Sequence, residues 1–136
     1  VTDFALRVAF VLTLSFLLAS CGGSSLPSND RLIDAFQEGR TGIWVSGHGT
    51  VAQMPADELG NTPRQRFAVR ISPNLTVLVR HELDESLRVP AQRGDTLAFQ
   101  GYYEWDGSGG TISRTFADAS RAGGGGWIEH EGTRYD

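Results

Sequence analysis

Acid–base or metal chemistry in this chain would have to come from His48, His81 and His130 and from the carboxylates Glu104, Asp106 and Asp118. The histidines are far apart and show no H-x-x-x-H ligand spacing, so only the fold can bring them to one point. His81 shares strand parity with Val77 and Val79, which puts it either at the mouth of a barrel or in a hydrogen-bonded, partly buried position. His48, between Gly47 and Gly49, reads as exposed loop or bulge, and His130, two residues after Ile128, can cap a barrel end. Paired carboxylates share a proton or hold a hard cation. The bland alternative for Glu104, Asp106 and Asp118 is a set of solvated turn residues paired with arginine.

Tyr102, Tyr103, Trp105 and Trp127 can stack on sugar rings or bases, although alternation must send about half of such residues into a core. Arg64, Arg66 and Arg70 share one strand face and can receive an anion or pair with Asp57, Glu58 or Glu82. Nucleophilic catalysis finds no G-x-S-x-G elbow. Gly47-His48-Gly49 lies in a strand pattern and opens no helix, so no dinucleotide fingerprint is present. Asp106-Gly107-Ser108-Gly109-Gly110 lacks the further acidic positions of a calcium loop and is a turn.

The elements that position these residues are mostly strands. Asn29 or Asp30 caps a short helix through Glu38, with Leu32, Ile33 and Phe36 on its apolar face and Gly39 ending it. Apolar residues then recur with period two: Ile43, Val45 and Val51 alternate with Trp44, Ser46 and Thr50 around a glycine bend. Phe67, Val69 and Ile71 form a second strand, and Leu75, Val77, Val79 and His81 a third. One helical turn fits residues 82–88 and a turn fits Arg93-Gly94-Asp95. Leu97, Phe99, Gly101, Tyr103 and Trp105 keep one parity in a fourth strand, a fifth runs over residues 111–116, and Trp127-Ile128 opens a last one with Gly132 as its turn. Five to six strands in about 100 residues suit an all-β, OB-like Greek-key barrel, because closure removes the exposed edges of so small a sheet.

The N-terminus carries an address. Arg7 precedes an apolar run over residues 8–19. As a helix this run spans about 18 Å, too short for roughly 30 Å of bilayer hydrocarbon. It ends in Leu18-Ala19-Ser20-Cys21-Gly22, which resembles the lipobox of bacterial lipoproteins. That resemblance implies a signal peptide over residues 1–20, lipid on Cys21 as membrane anchor, and, with Gly22 rather than Asp next, an outer-membrane location facing the periplasm. Residues 22–28 (GGSSLPS) read as a flexible tether, leaving residues 29–136 as a single domain.

The 136 residues are 40% hydrophobic and 21% charged, which is a globular composition with no room for a second domain. Sixteen acidic residues against 12 basic ones give a net charge of -4, which argues against a general nucleic-acid binder. All basic residues are arginine, and the single cysteine excludes an intramolecular disulfide.

Several separated motifs resemble the bacterial family called domain of unknown function three-four-six-five. They are Gly47-x-Gly49-x-Val51, Gln65-Arg66-Phe67, His81-x-Leu83-Asp84 with Arg88, Gly94-Asp95, Gly101-x-Tyr103-Glu104-Trp105, Gly109-Gly110, and Gly125-Gly126-Trp127-Ile128-x-His130 with Tyr135. The resemblance implies a small exported or lipid-anchored protein and assigns no activity. The family's pattern has R-H-Q where this chain has Pro63-Arg64-Gln65, and H-W-T-H-x-D where it has Ser113-Arg114-Thr115-Phe116-Ala117-Asp118. Any metal or acid–base chemistry run through those histidines is therefore reduced here.

The leading expectation is a lipid-anchored, non-catalytic barrel that binds an envelope glycan or protein partner and needs no cofactor. Its candidate face is Gln65, His81, Asp84, Arg88, Glu104, Trp105, Asp118 and Trp127. The alternatives are a metal-dependent or hydrolytic envelope enzyme using His81 with Glu104 or Asp118, and an oligonucleotide-binding barrel, which requires a basic groove.

Overall fold

Residues 25–136 are described by a computed structural model. The expected signal segment, Cys21 and the first part of the expected tether lie outside the described residues. One helix, α1 (Asp30–Glu38), precedes seven strands: β1 (Ile43–Gln53), β2 (Arg64–Ser72), β3 (Leu75–Glu82), β4 (Thr96–Glu104), β5 (Thr111–Ser113), β6 (Trp127–His130) and β7 (Thr133–Tyr135).

Strand alternation builds the barrel. Val45 and Val51 of β1, Phe67 and Val69 of β2, Leu75, Val77 and Val79 of β3, Leu97, Phe99 and Tyr103 of β4, and Ile112 of β5 are all buried in one core cluster. The strand order β1-β2-β3-β5-β4, with β4 returning to pair with β1, closes five strands on themselves. All these pairings are antiparallel except β3 with β5. This is the expected OB-like, all-β barrel. The closed barrel keeps to the expected five to six strands; beyond it, β6 adds to β4 past the end of β5, and β7 folds back on β6 around Gly132.

β1 changes partners along its length, pairing with β4 from Ile43 to Thr50 and with β2 from Thr50 to Gln53. The irregularity expected at Gly47–Gly49 is displaced to Val51–Gln53. Gly49 is needed because β2 passes close by: a Cβ there would sit 2.2 Å from the Arg70 carbonyl oxygen. His48 is correspondingly a half-buried strand residue rather than an exposed loop residue. Its Nδ1–H donates to the Pro27 carbonyl at 2.7 Å, so the chain is already fastened to the barrel within the segment expected to be tether.

α1 packs on β1 and buries Leu32 and Ala35. Asn29 stands at the N-cap, yet its side chain caps nothing. Its amide instead pairs with both main-chain groups of His48, at 3.0 and 2.8 Å. Satisfying two main-chain groups of β1, two residues before its pairing with β2 begins, outweighs one helix cap. The C-terminus ends as expected on Gly39 in the left-handed region.

The connection 83–95 opens with the single turn expected within residues 82–88, closed by the Ser86 N–H donating to the Glu82 carbonyl at 3.2 Å, and continues as extended chain. It delivers Val89 and Ala91 into the core. β5 ends at Ser113 rather than Phe116, because Arg114 takes φ 55, a left-handed value that breaks strand pairing.

Candidate functional site

Gln65 and His81 face each other across β2 and β3 inside the barrel, and neither is more than 2% exposed. The Gln65 amide donates to the Val89 carbonyl at 2.8 Å and accepts from the Val89 N–H at 2.9 Å. His81 Nε2–H donates to the Leu87 carbonyl at 3.0 Å, leaving Nδ1 to accept from the Thr115 hydroxyl at 2.7 Å. Burial holds the His81 pKa below its ordinary value, with the Leu87 hydrogen bond opposing. In this structure Gln65 spends both its polar atoms, and His81 its Nε2, on holding the 83–95 connection, and with Nδ1 taken by Thr115 His81 turns no free nitrogen to solvent.

The remaining sequence candidates are dispersed. Asp84 is exposed just beyond β3. Arg88 pairs with Asp57 and so ties the 83–95 connection to the β1–β2 loop. Glu104 is exposed at the end of β4. Trp105 leaves the parity of β4 and is 43% exposed, because its indole N–H donates to the Phe36 carbonyl near the end of α1, at 3.0 Å. Its own backbone N–H is taken by Thr41 Oγ1 at 3.0 Å. Trp127 is half-buried on the outer side of β6, with the Arg134 guanidinium 4.3 Å from its ring centre.

His81, Glu104 and Asp118 do not assemble as a metal-ligand set among the described residues. Asp95, His130 and Glu131 do approach one another, with ligand atoms within 4.8 Å. There, however, His130 Nε2–H donates to Asp95 at 2.8 Å. Hydrogen bonds from the Gln92 N–H and from His130 hold the Asp95 carboxyl below its usual range. That pair fastens the β6–β7 hairpin to the turn before β4.

The outer side of β2 and β3 presents Arg64, Arg66, Ala68, Arg70, Thr76, Leu78 and Arg80. OB-type barrels commonly bind nucleic acid on these strands. Here the surface offers no ring for base stacking. Arg64 and Arg80 are also committed to Glu58.

The outer face of β1 and β4 is different. Trp44 and Tyr102, paired across these strands, meet edge to face at 6.1 Å between ring centres. The Arg121 guanidinium lies 3.6 Å from the centre of the Trp44 ring, and Arg114 lies 4.7 Å from that of Tyr102. Arg31 of α1 donates to the Trp44 carbonyl at 3.0 Å. Between them opens a cleft of about 350 Å³ lined by Ser28, Arg31, Trp44, Val45, Ser46, Gln100, Arg121 and Ala122.

The loop that carries Arg121 is held on both sides. Asp118 accepts from the Ser120 N–H and hydroxyl at 3.0 and 2.6 Å, which keeps its carboxyl below the usual range. Its own N–H donates to the Gly124 carbonyl at 2.8 Å, and the Gln100 amide donates to the Gly125 carbonyl at 2.7 Å. Gln100 also accepts from the Ser46 hydroxyl at 2.9 Å. Of the eight sequence candidates, Asp118 is thus the one whose loop builds this cleft. Trp44, Arg31, Arg121 and Gln100 were missed. The outward parity of Trp44 and Ser46 was readable, whereas the loop and helix arriving over them were not.

Neither Arg31 nor Arg121 forms an ion pair among the described residues. A guanidinium stacked on a ring keeps its in-plane N–H groups free for a planar anion. The arrangement can therefore bind a carboxylate edge-on, with Ser46 and Gln100 beside it for hydroxyl groups, while Trp44, its ring covered by Arg121, holds that guanidinium in place.

A small OB-like barrel with an arginine–aromatic cleft is the class that fold and site define. The chain belongs to the family described as Protein of unknown function (DUF3465), which it matches over residues 12–136. No curated protein and no solved structure matches it.

Proposed function

We propose that this protein is a lipid-anchored binding module of the bacterial cell envelope that captures an acidic glycan, without catalysis, on the outer face of β1 and β4. The observation that carries the reading is Arg121 stacked on Trp44 beside Arg31, with no carboxylate among the described residues pairing either guanidinium. The guanidinium groups match the carboxylate of an acidic sugar, and Trp44, covered by Arg121, fixes one of them in place for it. Attachment rests on the leader and on Cys21 followed by Gly22, which favour lipidation and an outer-membrane position facing the periplasm. Two or more acyl chains make such anchoring stable.

The test is a thermal-unfolding series on the full chain in detergent. It uses the peptide-free disaccharide of N-acetylglucosamine and N-acetylmuramic acid against chitobiose, which lacks the lactyl carboxylate. A ligand at a hundred times its Kd stabilises by about 2.7 kcal/mol. The reading requires the acidic sugar to raise the midpoint and Trp44→Ala or Arg121→Ala to abolish the rise. An equal rise with chitobiose, or a rise that survives both substitutions, contradicts it.

A further inference from the structure

The end of the segment read as tether is built into the barrel's outer wall. The Pro27 carbonyl accepts from His48 Nδ1–H at 2.7 Å, and the Ser28 hydroxyl accepts from the Asp30 N–H at 3.1 Å. Residues 25–28 line a cleft of about 380 Å³ together with Ala98 of β4, Trp127 of β6 and Arg134 of β7. Leu26 is 50% exposed there, an unusual position for a leucine fastened to a folded domain. Arg134 lies over the Trp127 ring and 3.6 Å from a Glu129 carboxylate oxygen. This wall therefore offers apolar groups, Leu26, Pro27, Ala98 and Trp127, beside a balanced pair of charges.

Chain length says what meets it. Ser25 stands four residues after Cys21, and four residues reach at most about 14 Å when fully extended. Acyl chains on Cys21 would hold that residue at the headgroup level of the bilayer. A wall kept on so short a leash stays beside the membrane, and tryptophan is favoured at the membrane–water interface. In the closed ring β4 borders β5 and β1, so β2 and β3 lie across the barrel from it. We infer that the outer side of the β6–β7 hairpin, with Leu26, docks on the lipid headgroup layer that carries the anchor, and that the outer side of β2 and β3 faces away from the membrane. Because Arg134 is already paired, the docking requires no anionic lipid. The inference rests on the lipid attachment proposed at Cys21 and makes no use of the acidic-glycan cleft.

The experiment is amide NMR of the full chain, extracted from membranes and placed in phosphatidylcholine nanodiscs, with and without a lipid whose headgroup chelates gadolinium. The paramagnetic lipid is expected to erase the amide signals of Leu26, Ser28, Trp127 and Arg134 and to spare those of Arg66, Arg70, Thr76 and Leu78. Leu26→Asp, a change at a half-exposed position, is expected to restore part of the Trp127 and Arg134 signals while the protein stays in the discs. Equal loss on both walls, or greater loss at Arg70 and Thr76, overturns the docking and leaves lipid attachment standing. So does a contrast that Leu26→Asp does not change. Signals at Trp127 that survive the gadolinium lipid but shift with protein concentration assign this wall to a second copy of the chain and overturn the docking too. A chain whose Cys21 carries no acyl mass and which does not enter the discs overturns both the docking and the attachment it rests on.

Discussion

Gln65→Ala is the sharpest perturbation of the barrel's construction. The side chain occupies both main-chain groups of Val89, at 2.8 and 2.9 Å, in a region where Gln65 is 2% and Val89 1% exposed. Truncation leaves a buried N–H and a buried carbonyl without partners, each costing about 1–3 kcal/mol. Water entering the vacated space recovers part of this, so a net loss of about 2–4 kcal/mol is expected. At about 4 °C per kcal/mol for a domain of this size, the unfolding midpoint should fall by roughly 8–16 °C. Circular dichroism on heating reads the midpoint, and hydrogen exchange reads the Val89 amide, which should lose protection before the strands do. Gln65→Met keeps the volume and removes the hydrogen bonds, and it should fall by a similar amount. A drop of about 2 °C or less in either variant, with Val89 still protected, would refute the reasoning.

Three other outcomes are expected. Burial lowers the folded pKa of His81 below its ordinary 6.5. The unfolded chain then binds a proton that the folded one does not, so this stability is complete above about pH 6.5 and lost as pH falls toward the folded value. His81→Gln should flatten the acid side of the stability profile below about pH 6.5, whereas Glu58, lowered mainly by its hydrogen bond from Arg80, acts only from its ordinary 4.5 downward. An unchanged slope contradicts this. Gly110→Ala puts a Cβ 2.4 Å from the Tyr103 ring at φ +97 and should cost about 2–4 kcal/mol, whereas Gly124→Ala meets open space at φ +85 and should cost only about 1 kcal/mol. Equal unfolding midpoints for the two variants would contradict it. Cys21→Ser should move the protein from the membrane to the soluble fraction, and persistent membrane association would count against lipid anchoring.

Much of the barrel was legible because alternation encodes which side of a strand is buried. Val77, Val79 and His81 point inward as their parity required, and Asp106 accepts from the N–H groups of Ser108 and Gly110 to make the expected turn. Parity does not say where a strand stops. Trp105 continues the pattern of β4 in sequence but leaves the sheet, since the end of α1 offers its indole a carbonyl. Nor does parity say which outward residues meet. Trp44 and Tyr102 become neighbours only when β1 pairs with β4, and Arg121 reaches them only because Asp118 and Gln100 hold its loop. The family motifs Gln65 and His81 marked real constraints, and in this structure those constraints are hydrogen bonds to the 83–95 connection.

The central claim is tested most directly by isothermal titration of the wild-type chain and Arg121→Ala with the N-acetylmuramic acid disaccharide and chitobiose. A charge-assisted hydrogen bond is worth about 1.5–3 kcal/mol, roughly a 10- to 150-fold change in Kd. The account predicts that the acidic sugar binds the wild-type chain tighter than chitobiose by about that factor and that Arg121→Ala erases the difference. Equal affinities for the two sugars in the wild-type chain, or a preference that survives Arg121→Ala, would contradict it.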